Sequence, residues 1–560
     1  MQILRSPPAE GKCSRASRGC VHFSRLTGAV PADDMNSMAE LKNPPRSRAA
    51  PLVLALLCGV AAYCNSFRGP FIFDDIDAIL NNPRINRNLH DSGQSLPTSL
   101  SGRPVLSLTF AADEAIGGMH VEIYHATNLL IHLASGALLF GIVCRNLLTR
   151  RFWGDRFETS GPWLAGVVTA IWLVHPLNTQ AVTYIVQRAE SLAGLFYLGV
   201  IYSLIRDAEK PRLGWKLSAI AACALGMATK ESMATAPLVA LLYDRTFIAG
   251  SFAAALKKRA SLYAGLAATW TILAVIVFGG PRSASVGFGD GISSMDYART
   301  QLGVIAHYLF LTVWPRELAL DYYDWPIARN WTLVDSSGLI VALFVLFFII
   351  AFWLKPWLGF LGAWFFLILA PSSSVIPIFT EIAAEQRMYL PLIAPIALLV
   401  VGGWTLFARA PGPRWAGALI AVVLIAVPGI RTYARNAEYQ NPRIIWADDV
   451  ALHPLNPRAH FNLGFSLMGQ GNAAAAAAEY RAALDLAPDY YAAARALGHA
   501  WEKSGNVKRA EDFYTREIRV FPAFSREAHV ERGRLRAARG DLAGAKADFE
   551  AATRPSGGAR

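Results

Sequence analysis

Apolar stretches long enough to cross a bilayer recur from residue 50 to residue 430, and this recurrence constrains the chain more than any other feature. About 20 apolar residues in a helix span the hydrocarbon core. A soluble chain of 560 residues would instead divide into several domains with alternating polar faces. The runs fall at 50–66, 126–144, 162–176, 191–205, 215–229, 233–247, 260–280, 338–354, 357–372, 389–408 and 413–430, and 301–314 is only marginally long enough. With 54% hydrophobic residues and a mean hydropathy of +0.31, the expected fold class is all-α. Residues 49–430 are expected to form a polytopic helical membrane domain of about eleven spans.

The excess of 53 Lys and Arg over 41 Asp and Glu would suit nucleic acid in a soluble protein. In a polytopic one it marks the cytoplasmic loops, so no nucleic-acid partner is expected. Arg46 and Arg48 precede the first run, and Arg145, Arg150, Arg151 and Arg156 follow the second. Arg206, Lys210, Arg212 and Lys216 follow the fourth, and Lys257, Lys258 and Arg259 follow the sixth. Lys355, Arg409 and Arg414 complete the set. All share one side if 301–314 does not cross, which makes 301–335 a re-entrant or surface-lying segment. The expectation is a multi-pass inner or plasma membrane protein with its N-terminus cytoplasmic. The loops 67–125, 177–190, 281–335, 373–388 and everything after 430 are then extracytoplasmic. If 301–314 does cross, Lys355 and the C-terminal region change sides.

Residues 1–48 are polar, basic and rich in Ser, Pro and Arg, without the apolar core of a signal peptide, and read as a disordered cytoplasmic tail. Met35 and Met38 are plausible later starts. The six cysteines, Cys13, Cys20, Cys58, Cys64, Cys144 and Cys223, form neither a disulfide framework nor a zinc spacing.

After Gly429 the composition turns to Ala, Arg, Asp and Glu. Past a connector at 431–455, residues 456–554 carry about three copies of one pattern, followed by a tail at 555–560. Leu463–Gly464 aligns with Leu497–Gly498 and then Gly533; Ala476 aligns with Ala510 and Ala545; Tyr480 aligns with Tyr514 and Phe549. The spacing of about 34 residues is the tetratricopeptide period. Small residues let paired helices approach, and the aromatic is expected to fill the gap between units. Such an α-solenoid offers a concave face to a protein or peptide, or serves as a structural appendage.

Ionisable groups near a bilayer are costly and so are candidate functional residues. "GPFIFDDIDAILNNPRI" sets Asp74, Asp75 and Asp77 at the mouth of the first span, where they read equally as a site or as a helix cap. "SGRPVLSLTF" holds Arg103 in a loop-like Arg-Pro pair. "YHATNLLIHLASGALLF" puts Tyr124, His125, Asn128 and His132 at helical spacings, a stripe suited to catalysis or to interhelical hydrogen bonds. "WLVHPLNTQAVTYIVQRAESLAGLFYL" brings His175, Arg188 and Glu190 close to the membrane, and "GMATKESMATAPLVALLYD" sets Lys230 and Glu231 between two spans. "EIAAEQRMYLPLIAP" supplies Glu385, Arg387 and Tyr389. Cations converging on one face hold a phosphate, and arginine does so with a fork of donors.

From Phe71 to Tyr389 the order of motifs is DD, RP, YHxxNxxxH, HPxxTxAVxxIVxRAE, KE and AExRxY. In this order, with repeats appended, the chain resembles the transmembrane-and-tetratricopeptide O-mannosyltransferases of the GT-C glycosyltransferase superfamily. It departs from them at Gln180, where the family often has an acidic residue, and in its short repeat array. The resemblance implies a GT-C-like membrane domain, a polyprenyl-phosphate sugar donor, a catalytic aspartate in the first outward loop, and repeats on the same side.

From that follows an expected reaction: transfer of one sugar from the polyprenyl-phosphate donor to a hydroxyl of an extracytoplasmic acceptor protein or peptide, presented by the repeats. A phosphate leaving group needs little protonation, so one base and a set of cations suffice, unlike the carboxyl pair of a glycosidase. Asp75 is the first choice for the base and Asp74 the second. Arg188, Lys230 and Arg387 are the candidate donor-phosphate ligands, with Arg103 behind them. His125, Asn128, His132, His175, Glu190, Glu231, Glu385 and Tyr389 are expected to support them. Direct displacement would invert the anomeric centre, with the lipid tail between spans near 301–335. No metal ligand set and no cofactor are implied, and a divalent metal is neither required nor excluded. The alternatives are a GT-C enzyme acting on a glycan or lipid acceptor, and a non-catalytic membrane-anchored repeat scaffold.

Overall fold

The computed structural model describes residues 49–86, 102–149, 153–279, 292–331, 334, 336–374, 376–409, 413–520, 522 and 525–553. The expected tails at 1–48 and 555–560, Arg46, Arg48, Arg150, Arg151, Cys13 and Cys20 lie outside the described residues. Among those residues the secondary structure is helical throughout.

Every apolar run has a helix. Ala49–Tyr63, Val121–Leu147, Gly161–Leu173, Arg188–Glu209 and Leu213–Met227 cover the first five. Ala236–Tyr243 continues through a π-turn at Asp244–Ala249. Ala260–Ala268 and Trp270–Gly279, Ser336–Leu354, Pro356–Leu369, Ile393–Phe407 and Arg414–Tyr439 cover the others. Among the described residues, five helical stretches are long and apolar enough to cross a membrane outright, and a sixth forms if Glu231–Ala249 and Phe252–Lys258, bent by 98°, count as one span. Five further apolar helices are shorter. Leu343, Phe347 and Ile350 of the Ser336–Leu354 helix are all exposed. Such a surface is stable against lipid and costly in water. This is a multi-pass membrane protein.

The segment expected to be re-entrant or surface-lying has two parts. Ser294–Val313 is a 20-residue helix whose Asp296, Arg299 and His307 lower its apolar character below that of the spans. The chain after it is irregular through residue 330. The outward loop 67–125 also contains an unexpected helix, Pro104–Gly117. Arg103 is its N-cap and Pro104 occupies its first turn, where proline's missing N–H costs nothing. Leu106, Phe110 and Asp113 face inward from this helix while Leu108 and Ile116 stay exposed, the pattern of a helix lying along an interface.

At the C-terminus, the expected connector is largely helical, through the end of Arg414–Tyr439 and then Pro442–Leu452. Three helix pairs follow: Pro457–Gly469 with Ala473–Leu486, Tyr491–Lys503 with Val507–Val520, and Arg526–Ala538 with Leu542–Thr553. The shared glycine and aromatic meet within a pair rather than between pairs. A Cβ on Gly464 would come within 2.7 Å of Tyr480, and one on Gly498 within 2.6 Å of Tyr514. The ring occupies the volume that a side chain at the glycine would need, which fixes how closely the two helices pack.

The connector and the start of the repeats are fastened to the membrane domain through residues 319–324. The Asp449 carboxylate accepts the backbone N–H groups of Leu320 at 2.8 Å and Asp321 at 3.0 Å. Asn456 donates to Asp321, Arg458 forms an ion pair with it, and His453 meets Asp324 at 2.7 Å. A segment without helical hydrogen bonds of its own is thereby satisfied from the repeat side.

Candidate functional site

After the first span the chain makes a short 3-10 turn at Ser66–Arg68 and then reaches the aspartates. Phe73 has φ of 48°, which is unusual for a bulky residue and strained unless its surroundings enforce it. It turns the backbone so that Asp74 and Asp75, at the start of a helical segment, separate to different environments. Asp75 is fully buried. Its Oδ2 accepts Ile72 N–H at 3.1 Å and its Oδ1 accepts Val186 N–H at 2.7 Å. Burial nonetheless pushes its pKa up to about 8, against the lowering by those donors. Asp74 is partly open to solvent. Its N–H donates to Tyr184 Oη at 3.0 Å. Burial and the neighbouring Glu381 raise its pKa to about 6, while Tyr184 and Arg458 pull it down. Asp77 accepts from Asn81, one turn on, at 3.0 Å.

Arg188, expected to face a phosphate, is fully buried and already engaged. It pairs with Asp113 at 2.5 Å, donates to Asn128 Oδ1 at 2.5 Å, to Thr109 at 3.2 Å and to the Tyr124 carbonyl at 3.0 Å, and lies 4.4 Å from the Phe110 ring. These contacts leave it bracing the loops rather than open to a ligand. Asn128 completes the brace by donating to the Val182 carbonyl at 3.0 Å.

The three histidines also hold backbone. His125 Nε2 donates to the Gly69 carbonyl at 2.9 Å, just before the aspartates. His132 Nε2 lies 3.0 Å from the Leu173 carbonyl, which can only accept, so Nδ1 is the acceptor for Tyr389 Oη at 3.0 Å. By the same logic His175 donates through Nε2 to Thr312 O at 3.0 Å and accepts Leu177 N–H at 3.3 Å. Among the described residues, no three His, Cys, Asp or Glu side chains gather as a metal site.

The remaining cations gather on a different feature. Glu190, Tyr197, Ser232, Ser372 and Arg387 line a small cavity. Lys230 Nζ meets Glu190 at 2.6 Å beside it, and Arg103 meets Glu231 at 3.5 Å on the next residue. Arg387 donates to the Ser372 and Ile382 carbonyls at 3.2 and 3.1 Å and pairs with Glu381 at 3.5 Å. Glu381 therefore links the two halves: it pairs with Arg387 and acts electrostatically on Asp74. Glu385 is turned away, accepting Ala319 N–H at 2.8 Å and the Tyr322 hydroxyl at 2.7 Å, and burial raises its pKa to about 7.

Sequence reasoning did not single out Tyr184, Glu381, Asp321, Arg458 or Asp113. Tyr184 and Glu381 lie inside stretches already notable for Arg188 and Arg387. The other three had no local signal, because their partners are distant in sequence.

A Tetratricopeptide repeat family model matches residues 457–490, the first helix pair. Over most of its length the chain is similar to Protein O-mannosyl-transferase Tmtc3 of Drosophila melanogaster, 24% identical over 86% of this chain and 60% of that protein. It is 25% identical to Protein O-mannosyl-transferase TMTC4 of Mus musculus over 76% of this chain and 65% of that one. The chain resembles the TMTC proteins over most of its length. Similarity to TMTC1 of Homo sapiens is 25% over 83% of this chain and 59% of that protein. The chain thus spans about 60% of the length of the TMTC proteins it matches.

Proposed function

We propose that the chain is a membrane glycosyltransferase that moves a sugar from a polyprenyl-phosphate donor to a hydroxyl of an extracytoplasmic protein, with inversion at the anomeric carbon. The observation that carries this reading is the division of the aspartate pair. Asp75 is spent on backbone N–H groups, whereas Asp74 is partly open and acted on by Glu381, the ion-pair partner of Arg387, which lines a small cavity with the Lys230 partner Glu190.

In this mechanism Asp74, rather than the first-chosen Asp75, takes the proton from the acceptor hydroxyl. A carboxylate raised to about 6 is a stronger base than a free one and is still mostly ionised at pH 7. The acceptor oxygen forms its bond to the anomeric carbon as the bond to the phosphate oxygen breaks, and polyprenyl phosphate leaves with the electron pair. Lys230 and Arg387 stabilise the charge that develops on the phosphate, with Arg103 positioned behind them. Arg188 serves as a brace. The relatives are named protein O-mannosyl-transferases, which makes mannose the first sugar to test.

The orientation follows the same reading. The ion pairs Arg145–Glu209 at 3.0 Å and Arg259–Asp244 at 2.9 Å stand at helix ends that lead into the basic loops, which suits a cytoplasmic face.

Proteoliposomes holding the full chain, an acceptor protein and either polyprenyl-phosphate mannose or a nucleotide mannose test the donor. Transfer from the lipid donor alone is expected, and transfer from the nucleotide sugar alone overturns the proposal. A cysteine placed in the repeats is expected to react with an impermeant reagent in intact cells; reaction only after permeabilisation would reverse the orientation.

A further inference from the structure

The strained residue next to Asp74 is held from the C-terminal region. The Phe73 ring meets Trp446 edge-to-face at 5.2 Å, stacks with Tyr184 at 6.4 Å, and lies 6.0 Å from the Arg458 guanidinium. Trp446 belongs to the connector helix Pro442–Leu452 and Arg458 to the first repeat helix, Pro457–Gly469. Arg458 is itself fixed, by Nε to Asp321 Oδ2 at 2.8 Å and by lying 4.5 Å from the Tyr323 ring. A left-handed phenylalanine persists only where its surroundings over-determine it, and here much of the surrounding comes from the repeat side.

We propose that Trp446 and Arg458 are positioning residues for the Asp74 loop: Trp446 grips Phe73, and Arg458, 6.0 Å from the same ring, brings a positive charge to the loop. The connector and the first repeat helix therefore belong to the catalytic apparatus. The inference rests on Asp74 being the base. The charged and titratable groups acting on Asp74 are Glu381 and Asp321, which disfavour its ionised form, Arg458 and Tyr184, which favour it, and its neighbour Asp75, whose own ionisation is disfavoured by Asp74. Arg458 is the cation among these groups. It also neutralises Asp321, so its loss acts twice in the same direction.

The test is the pH profile of sugar transfer by the full-length protein in proteoliposomes. Arg458→Ala is expected to move the acid limb of kcat/KM upward by about one pH unit, giving roughly a tenfold loss on that limb and a small loss on the alkaline plateau. Arg458→Lys is expected to return the limb towards the wild-type position. A purely structural role would lower the rate equally at every pH and leave the limb where it was, which overturns the proposal. Phe73→Gly provides a second arm, because glycine adopts the positive φ without strain and removes only the ring. It is expected to lower kcat several-fold with KM little changed, and an unchanged kcat would contradict the grip. Asp74→Asn run alongside separates the two levels. If Asp74→Asn is inactive and the Arg458→Ala profile is unmoved, only the positioning role falls. If Asp74→Asn transfers normally, the role of Asp74 as base falls and the positioning role with it.

Discussion

The Asp75 carboxylate accepts the Val186 backbone N–H at 2.7 Å, tying the first outward loop to the turn that leads into Arg188. The other oxygen accepts Ile72 N–H, so the side chain closes two separate segments around itself. Asp75→Ala leaves both donors buried without a partner and is expected to cost about 1–3 kcal/mol for each unsatisfied group. Asp75→Asn retains one acceptor oxygen and is expected to cost less. Thermal unfolding of purified protein in detergent measures the order, and equal stability of all three chains would refute the structural role.

Arg188 and Asp113 form a second brace, with side chains 0% and 3% exposed. Removing one member of a buried pair strands the other charge, so Asp113→Ala or Arg188→Ala is expected to destabilise by about 3–5 kcal/mol. Replacing both with apolar residues is expected to cost less than the sum of the two single changes. A double-mutant cycle on unfolding midpoints gives the coupling.

In the repeats, Gly498→Ala would place a methyl 2.6 Å from the Tyr514 ring. Overpacking of this kind costs about 1–3 kcal/mol. A matching loss at Gly464, whose Cβ would meet Tyr480 at 2.7 Å, is expected, and both appear as lowered melting temperatures of the full chain.

The protein is also expected to lose stability as pH rises from about 6.5 to 8. Burial raises the pKa values of Asp75 and Asp449 to about 8, Glu385 to about 7 and Asp74 to about 6, above their ordinary values of 3.8 and 4.5. The native state therefore binds more protons than the unfolded chain across that window, and stability falls as the groups ionise. His453 and His460, raised by their carboxylate partners, act in the same direction, since their stabilisation is present when protonated and lost on deprotonation. Melting temperatures at about pH 6.5 and 8 check the sign, and Asp449→Asn is expected to flatten the slope.

The membrane helices and the repeat pairs were legible because their signals are local: continuous apolar runs, and a glycine and an aromatic recurring together. The Pro104–Gly117 helix was hidden by an Arg-Pro pair read as loop, although proline suits a helix's first turn. The aspartate pair was legible as a place but not as a division of labour. Which of the two turns inward depends on the positive φ of Phe73 and on the N–H of Val186, 111 residues away, and neither leaves a mark in "FIFDDID". Arg188 likewise looked like a free cation until Asp113, 75 residues earlier in the sequence, came beside it. Long-range partners decide whether a charged residue is a brace or a site, and a local motif records only that a charge is present.

The central claim is that Asp74 is the base while Asp75 holds the loop, and transfer by the two isosteric variants in the same vesicles tests it most directly. With protein amounts matched and folding verified, Asp74→Asn is expected to lose transfer by about 10²–10⁴-fold, the range of general base catalysis. Asp75→Asn is expected to keep measurable transfer with a lowered melting temperature. Full transfer by Asp74→Asn beside a stable but inactive Asp75→Asn would contradict the account.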